Sequence, residues 1–264
     1  AVFKPTSLGR YELFKKVSSK IKLNTIEKEE WDRVKNRFEN ICEHAKKSNV
    51  KILIDAEEYE VQFAIDNLAL EMMKKFNISS VIVYNTIQLY RWDRIPFIKL
   101  LIEKHKNSKF KFGFKLVRGA YMEKERVLAL KEGYKSPICL TKIETDQNFD
   151  NCVDLMFDNL DKIDFFVASH NEKSNLKVID KMNKFSLPND DEKIWFGQLY
   201  GMGDNISYNL AKKGYNVAKI LPFGPVENLI PYLIRRAQEN SSIEGQSNRE
   251  LDLINSELIR RSKI

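Results

Sequence analysis

The feature that most constrains this chain is an alternation repeated through most of its length. Short β-rich apolar runs are each followed by a stretch in which apolar residues recur every three or four positions. The runs fall at residues 2–4, 50–56, 80–85, 110–117, 164–169, 193–199 and 215–221. Between them, Trp31, Val34, Phe38, Ile41 and Ala45 mark one helical face, and Val61, Ile65, Leu68, Met72 and Phe76 mark another. Further helices are expected over 96–106, with Pro96 as first helical residue, and over 146–160, 172–185, 205–213, 228–240 and 249–262. Strand–helix units in unbroken series, with no Gly/Ser- or Pro-rich linker, predict an α/β chain closed into one (β/α) barrel over a doubly wound sheet. An eighth strand has room only at residues 241–248, SSIEGQSN, which is a poor strand sequence.

With 264 residues and 43% hydrophobic content the chain can bury one large core, so residues 1–264 are expected to form a single domain. The net charge of +7 is compatible with nucleic acid, an anionic substrate or an anionic membrane surface, and favours none of them. Lysines in EKHKNSK and MEKERVLALKE are interspersed with glutamates, as on ordinary solvated helix faces, which speaks against a basic RNA- or lipid-binding module. Cys42, Cys139 and Cys152 form no CxxC pair and are odd in number, so neither a disulfide framework nor a zinc site is indicated. Reduced thiols in a cytosol-like compartment are the expectation. Apolar runs such as 95–102, broken by Pro96 and Lys99, fall short of the ~18 residues of a membrane span. The chain opens AVFKPTSLGR without methionine, as a trimmed domain or mature fragment would.

In such a barrel the chemistry sits where strands end. Those ends are polar here: Lys4, Asp55 in IDAEE, Asn85, Thr86 and Gln88 in YNTIQLY, Lys115 and Arg118 in KLVRGAY, Ser169-His170-Asn171, and Gln198 to Gly203 in QLYGMG. Any one of them has a structural reading, such as an ion pair between Lys4 and Asp55. Adjacent strands deliver their ends to one mouth, and it is this convergence that points to a site. Gly119, Gly201 and Gly203 would let backbone approach a ligand closely. No GxGxxG or GxxxxGK[ST] loop occurs. His44 and His105 lie in helical stretches and no GxSxG elbow exists, so neither metal catalysis nor a serine hydrolase is indicated. In PYLIRRAQEN, Arg235 and Arg236 flank one helical face with Tyr232, and Glu239 lies within pairing reach of both, so the pair either decorates a solvated face or reaches for an anion.

Taken together and in order, FKPTSLGR, DAEE, KLVRGAY, the SHN turn and PYLIRRAQEN resemble the proline dehydrogenase family, and most of all its branch of mitochondrial proline and hydroxyproline dehydrogenases. The resemblance implies a distorted (β/α)8 TIM-like barrel with FAD across the strand ends. It implies oxidation of L-proline to Δ1-pyrroline-5-carboxylate by hydride transfer to flavin N5, with electrons passed to a quinone, as the first step of proline catabolism. By the same resemblance Gln88, Lys115, Val117, Arg118, Gly119, Ala120, Ser169, His170, Tyr200, Gly201 and Glu239 would contact FAD. Lys4, Asp55, Leu199, Ile220, Tyr232, Arg235 and Arg236 would form the proline pocket. Lys4, Asp55, Lys115, Arg235 and Arg236 would carry the chemistry. A cytoplasmic or mitochondrial-matrix location with peripheral membrane association is implied.

Hydride loss needs a neutral amine, so Asp55 is the candidate to position the amine or accept its proton, although a lysine partner would stabilise the carboxylate and weaken it as a base. Two departures matter. Many relatives have Arg in place of Lys115, and many proline-specific relatives have Tyr in place of Ile220, which makes 4-hydroxyproline a competing substrate. The rival enzyme reading is a barrel lyase with a Schiff base on Lys4 or Lys115, which would require a desolvated lysine.

Overall fold

The computed structural model describes residues 1–227, 229, 230, 232–234, 255 and 258–262. The chain runs β1 (Val2–Phe3), a 3-10 turn (Pro5–Leu8), α1 (Tyr11–Ser18), α2 (Thr25–Lys47), β2 (Ile52–Ile54), α3 (Tyr59–Phe76), β3 (Val83–Gln88), α4 (Arg94–Lys104) and β4 (Phe112–Val117). It continues through α5 (Met122–Glu132), α6 (Lys142–Phe157), β5 (Ile163–Ala168), α7 (Glu172–Lys184), β6 (Ile194–Leu199), α8 (Asp204–Lys212) and β7 (Val217–Ile220). All seven strands are parallel and pair in sequence order, each joined to the next by a helical crossover. The architecture is an α/β distorted TIM-like barrel, its sheet curled so that residues of β1 and β7 line one common cavity. Among the described residues β1 and β7 remain the two ends of the sheet. The expected strand at 241–248, and most of the helices expected at 228–240 and 249–262, lie outside the described residues.

Alternation along each strand sends one set of side chains out to the helices and the other into the barrel. Outward, Ile54, Val83, Phe114, Phe165 and Phe196 are fully buried in one core with Phe38 of α2, Ile65 of α3, Phe149 of α6 and Val178 of α7. Inward, Leu53, Val81, Tyr84 and Phe166 form a second cluster, with Trp195 and Ala218 against it. Helix α2 starts on a capping box in which the Asn24 side chain accepts from Glu27 N and the Glu27 carboxylate accepts from Asn24 N.

Three expectations shift. The strand expected at 80–85 lies at Val83–Gln88, because the buried Asn77 side chain takes the backbone N–H groups of Ile82 and Val83 and delays the start of the ladder. Asn85 alternates with the inward Tyr84 and Thr86 and so points outward, donating to Asp66 at 2.8 Å, and is not part of the mouth. The helix expected from Pro96 begins at Arg94, with Pro96 still in the first turn, where its missing N–H costs no helical bond. Among the described residues, no helix is long and apolar enough to cross a membrane.

Candidate active site

A cavity of 2380 Å³ occupies the barrel interior and its mouth. It exceeds the roughly 300–1,000 Å³ of pockets for drug-sized ligands because it runs the depth of the barrel, from Lys51, Asp190 and Asn216 at one end to Lys4, Arg118 and His170 at the other. Phe166 and Trp195 line it partway down, stacked with ring centroids 5.6 Å apart, and Tyr84 packs edge-on behind Phe166 at 5.1 Å. Above these rings, Ala168 pairs in register with Gly197 and Gly197 with Ala218. This row of small residues across three strands leaves a shelf on which a flat group can lie.

The carboxyl ends of the strands supply the polar groups. Lys115, on β4, projects inward and its Nζ donates to Asp55 Oδ1 at 2.5 Å, with the lysine side chain only 6% exposed. The partner of Asp55 is thus Lys115, whereas Lys4 donates to the Tyr121 hydroxyl at 3.2 Å. Burial works against the charge on Lys4, but Tyr121, Asp55 and Glu57 outweigh it and raise its pKa above the ordinary lysine value. A lysine held as a cation is the wrong state for Schiff-base chemistry. Lys115 has its Nζ occupied by the Asp55 carboxylate.

Gln88 is 2% exposed and its amide orientation is fixed. Nε2 donates to the Glu57 carbonyl at 2.9 Å and lies 3.4 Å from the Tyr90 hydroxyl, leaving Oε1 buried with no partner. An unpartnered buried carbonyl on a cavity wall is an acceptor waiting for a ligand N–H or O–H. Arg118 is locked from three sides: Nε donates to Asp146 (2.7 Å), Nη1 to Ser169 Oγ (2.9 Å) and Nη2 to Ser174 Oγ (3.0 Å), over the Phe149 ring. Burial opposes the charge on Asp146, but Lys142 and Arg118 prevail and hold its pKa below the ordinary carboxylate value. Gly119 has φ 133, and a Cβ there would collide with the Tyr90 ring, so glycine is required for the backbone to pass.

The structure brings Lys4, Asp55, Gln88, Lys115, Val117, Arg118, Gly119, Ala120, Ser169, His170, Leu199, Ile220 and Tyr232 to this one cavity. Tyr200 and Gly201 are exposed on the rim turn and do not line it. Arg235, Arg236 and Glu239 lie outside the described residues. Reading the strand ends missed Tyr121 and Glu57, although both sit inside the motifs KLVRGAY and DAEE. Glu57 is buried and accepts from Thr6 N (2.9 Å) and Thr6 Oγ1 (2.7 Å), tying the turn after Lys4 to the end of β2.

Comparison with known proteins accords with this geometry. A family model described as proline dehydrogenase matches residues 5–249. The carbapenem antibiotics biosynthesis protein CarD of Pectobacterium carotovorum is 37% identical over 98% of this chain and 67% of its own length. The human mitochondrial proline dehydrogenase 1 is 39% identical over 87% of this chain and 39% of its own length. The hydroxyproline dehydrogenase of Xenopus laevis is 38% identical over 85% and 49%. Among solved structures, proline utilization A from Bdellovibrio bacteriovorus superposes with TM-score 0.79 at 26% identity, covering 92% of this chain and 24% of that one. The chain thus spans half or less of the length of the human, Xenopus and Bdellovibrio proteins. A match across nearly the whole chain, on a barrel whose strand ends carry the family's motifs, has one reading: this chain belongs to the proline dehydrogenase family.

Proposed function

We propose that this chain oxidises L-proline to Δ1-pyrroline-5-carboxylate, with FAD seated in the barrel cavity and a quinone as the onward electron acceptor, as the first step of proline catabolism. Residues 1–264 would act as one FAD-binding barrel. The observation that carries the reading is the buried, unpartnered Gln88 Oε1 on the same cavity as the Lys115–Asp55 ion pair. The small-residue shelf and the unpartnered acceptor suit a flat ring bearing an N–H, and FAD is the family's group of that kind. When bound, FAD supplies the hydride acceptance that no side chain offers. Gln88, Lys115, Val117, Arg118, Gly119, Ala120, Ser169 and His170 would hold it, with Tyr200 and Gly201 from the rim turn and Glu239 beyond the described residues.

The chain's own groups bind and aim the substrate. Lys4, kept cationic, attracts the proline carboxylate, and Arg235 and Arg236 complete the grip; each charge-assisted bond in a dry site contributes ~1.5–3 kcal/mol. Fixing the carboxylate aims the ring carbon next to nitrogen toward the shelf. Leu199 and Ile220 pair in register on β6 and β7 and form an apolar wall with Tyr232. Asp55, held in place by Lys115, orients the substrate amine and is the candidate acceptor of its proton, a role the lysine partner weakens by stabilising the carboxylate.

A second reading rests on Ile220. An aliphatic side chain at this part of the wall leaves room for a substituted ring, so 4-hydroxyproline competes with proline on the same scaffold. The ratio of kcat/KM for the two decides it, and a clear preference for proline removes the hydroxyproline reading. The primary test is direct: the purified chain should be yellow, or become so with FAD, and should bleach on adding proline. A folded, flavin-free protein that ignores added FAD refutes the proposal. Peripheral association with a membrane, where a quinone would be met, and a mitochondrial-matrix or cytoplasmic location complete the reading; the names of mitochondrial relatives support the mitochondrial location alone.

A further inference from the structure

The turn between β6 and α8 leaves the sheet and enters a helix within a few residues. Met202 N donates to the Leu199 carbonyl at 3.1 Å, closing a turn with Gly201 at φ 75, and Gly203 caps α8 at φ 60. Two left-handed glycines give this segment little conformational preference of its own. What fixes it comes from the next strand. Lys219 projects from β7 on the face opposite Ile220, and its Nζ donates to the Met202 carbonyl at 2.7 Å, the Leu199 carbonyl at 3.4 Å and Asp204 Oδ1 at 2.5 Å. One ammonium thus joins both ends of the turn to the first residue of the helix. The turn in turn shapes the cavity. Met202 is buried in its wall, and the Cα of Gly203 runs so close to His170 that a Cβ would stand 2.9 Å from Nδ1.

We infer that Lys219 is a positioning residue for the bound flavin: it borders the cavity, but its ammonium is spent on the Leu199–Asp204 turn, which it sets, and through that turn the Met202 and His170 wall. The inference rests on the FAD reading above, and its test separates the two. Apoprotein is titrated with FAD, followed by flavin fluorescence, for wild type, Lys219→Met and Lys219→Arg, and the Tm of each is measured with and without FAD. Lys219→Met should raise the Kd for FAD by about tenfold or more, the scale of one lost charge-assisted hydrogen bond. Lys219→Arg, which keeps a cationic donor, should stay within about threefold of wild type, because only the geometry of the donor changes. The Tm gain on adding FAD should shrink in Lys219→Met while the Tm of its apoprotein holds. An unchanged Kd in Lys219→Met, an arginine variant as weak as the methionine one, or an apoprotein Tm that falls as far as the FAD-bound Tm each overturns the positioning role. A wild-type chain that takes up no FAD overturns the proposed function instead.

Discussion

The lower and upper halves of the barrel interior are made by the same strands at inward positions two residues apart, and their chemistry is opposite. Going up β2 the inward residue changes from Leu53 to Asp55, on β3 from Tyr84 to Thr86, on β5 from Phe166 to Ala168, and on β6 from Trp195 to Gly197. The lower layer packs large apolar side chains against one another and stabilises the fold. The upper layer replaces them with small residues and an ion pair, leaving volume and polarity for ligands. Stability and function are thus assigned to alternate rungs of one ladder.

That division can be tested from its strongest side first. Phe166→Ala should cost about 3–5 kcal/mol of unfolding free energy, as large-to-small core changes do, while leaving the KM for proline nearly unchanged in the protein that remains folded; a raised KM with normal stability would reverse the assignment. Asp55→Ala should do the opposite, lowering turnover by about a hundredfold, close to 2.7 kcal/mol of barrier, with FAD still bound. Unchanged turnover would remove Asp55 from the mechanism. Gly119→Ala should cost about 2 kcal/mol, since the new methyl must push Tyr90 aside at a φ that L residues avoid, and its Tm should drop accordingly.

The smallest effect lies back in the lower half. Asp164 is buried with Oδ1 unpartnered, and burial, opposed by Lys51, Lys111 and Lys193, pushes its pKa up to about 6 from the ordinary 3.8. The folded chain therefore holds this proton more tightly than the unfolded chain does. Its contribution to stability is full below the unfolded value and is lost as pH rises through about 6. Asp164→Asn should then be more stable than wild type by about 1–2 kcal/mol at pH 7 and equal to it near pH 4. Urea unfolding at both pH values checks this, and a constant difference between the two proteins would exclude the titration.

The strand order was legible because apolar runs and helical faces alternate with different periods, and because parallel strands demand helical crossovers. Two helices escaped the periodicity. Helix α1 spans 8 residues, too few for a clear repeat, and α5, MEKERVLALKE, leaves Val127 and Leu130 exposed and so shows no single apolar face. Register was less legible than existence. Nothing in the run at 80–85 announces that Asn77, several residues earlier, will claim its first amides, or which alternate set, Asn85 or Thr86 and Gln88, will face the mouth. Most of the candidate site was readable as polar residues at strand ends. Partnership was not, since Asp55 could have met either lysine.

The sequence by itself determined the barrel, the polar mouth and the family, since each depends on patterns local along the chain or on motifs read in order. Only the tertiary structure decided that Lys115 holds Asp55, that Lys4 turns to Tyr121, that Gln88 keeps one acceptor free, and that Lys219 bonds to the turn after the neighbouring strand. The physical reason is distance along the chain. Lys115 and Asp55 are 60 residues apart, Lys4 and Tyr121 117, and only the closing of the sheet fixes which charge meets which.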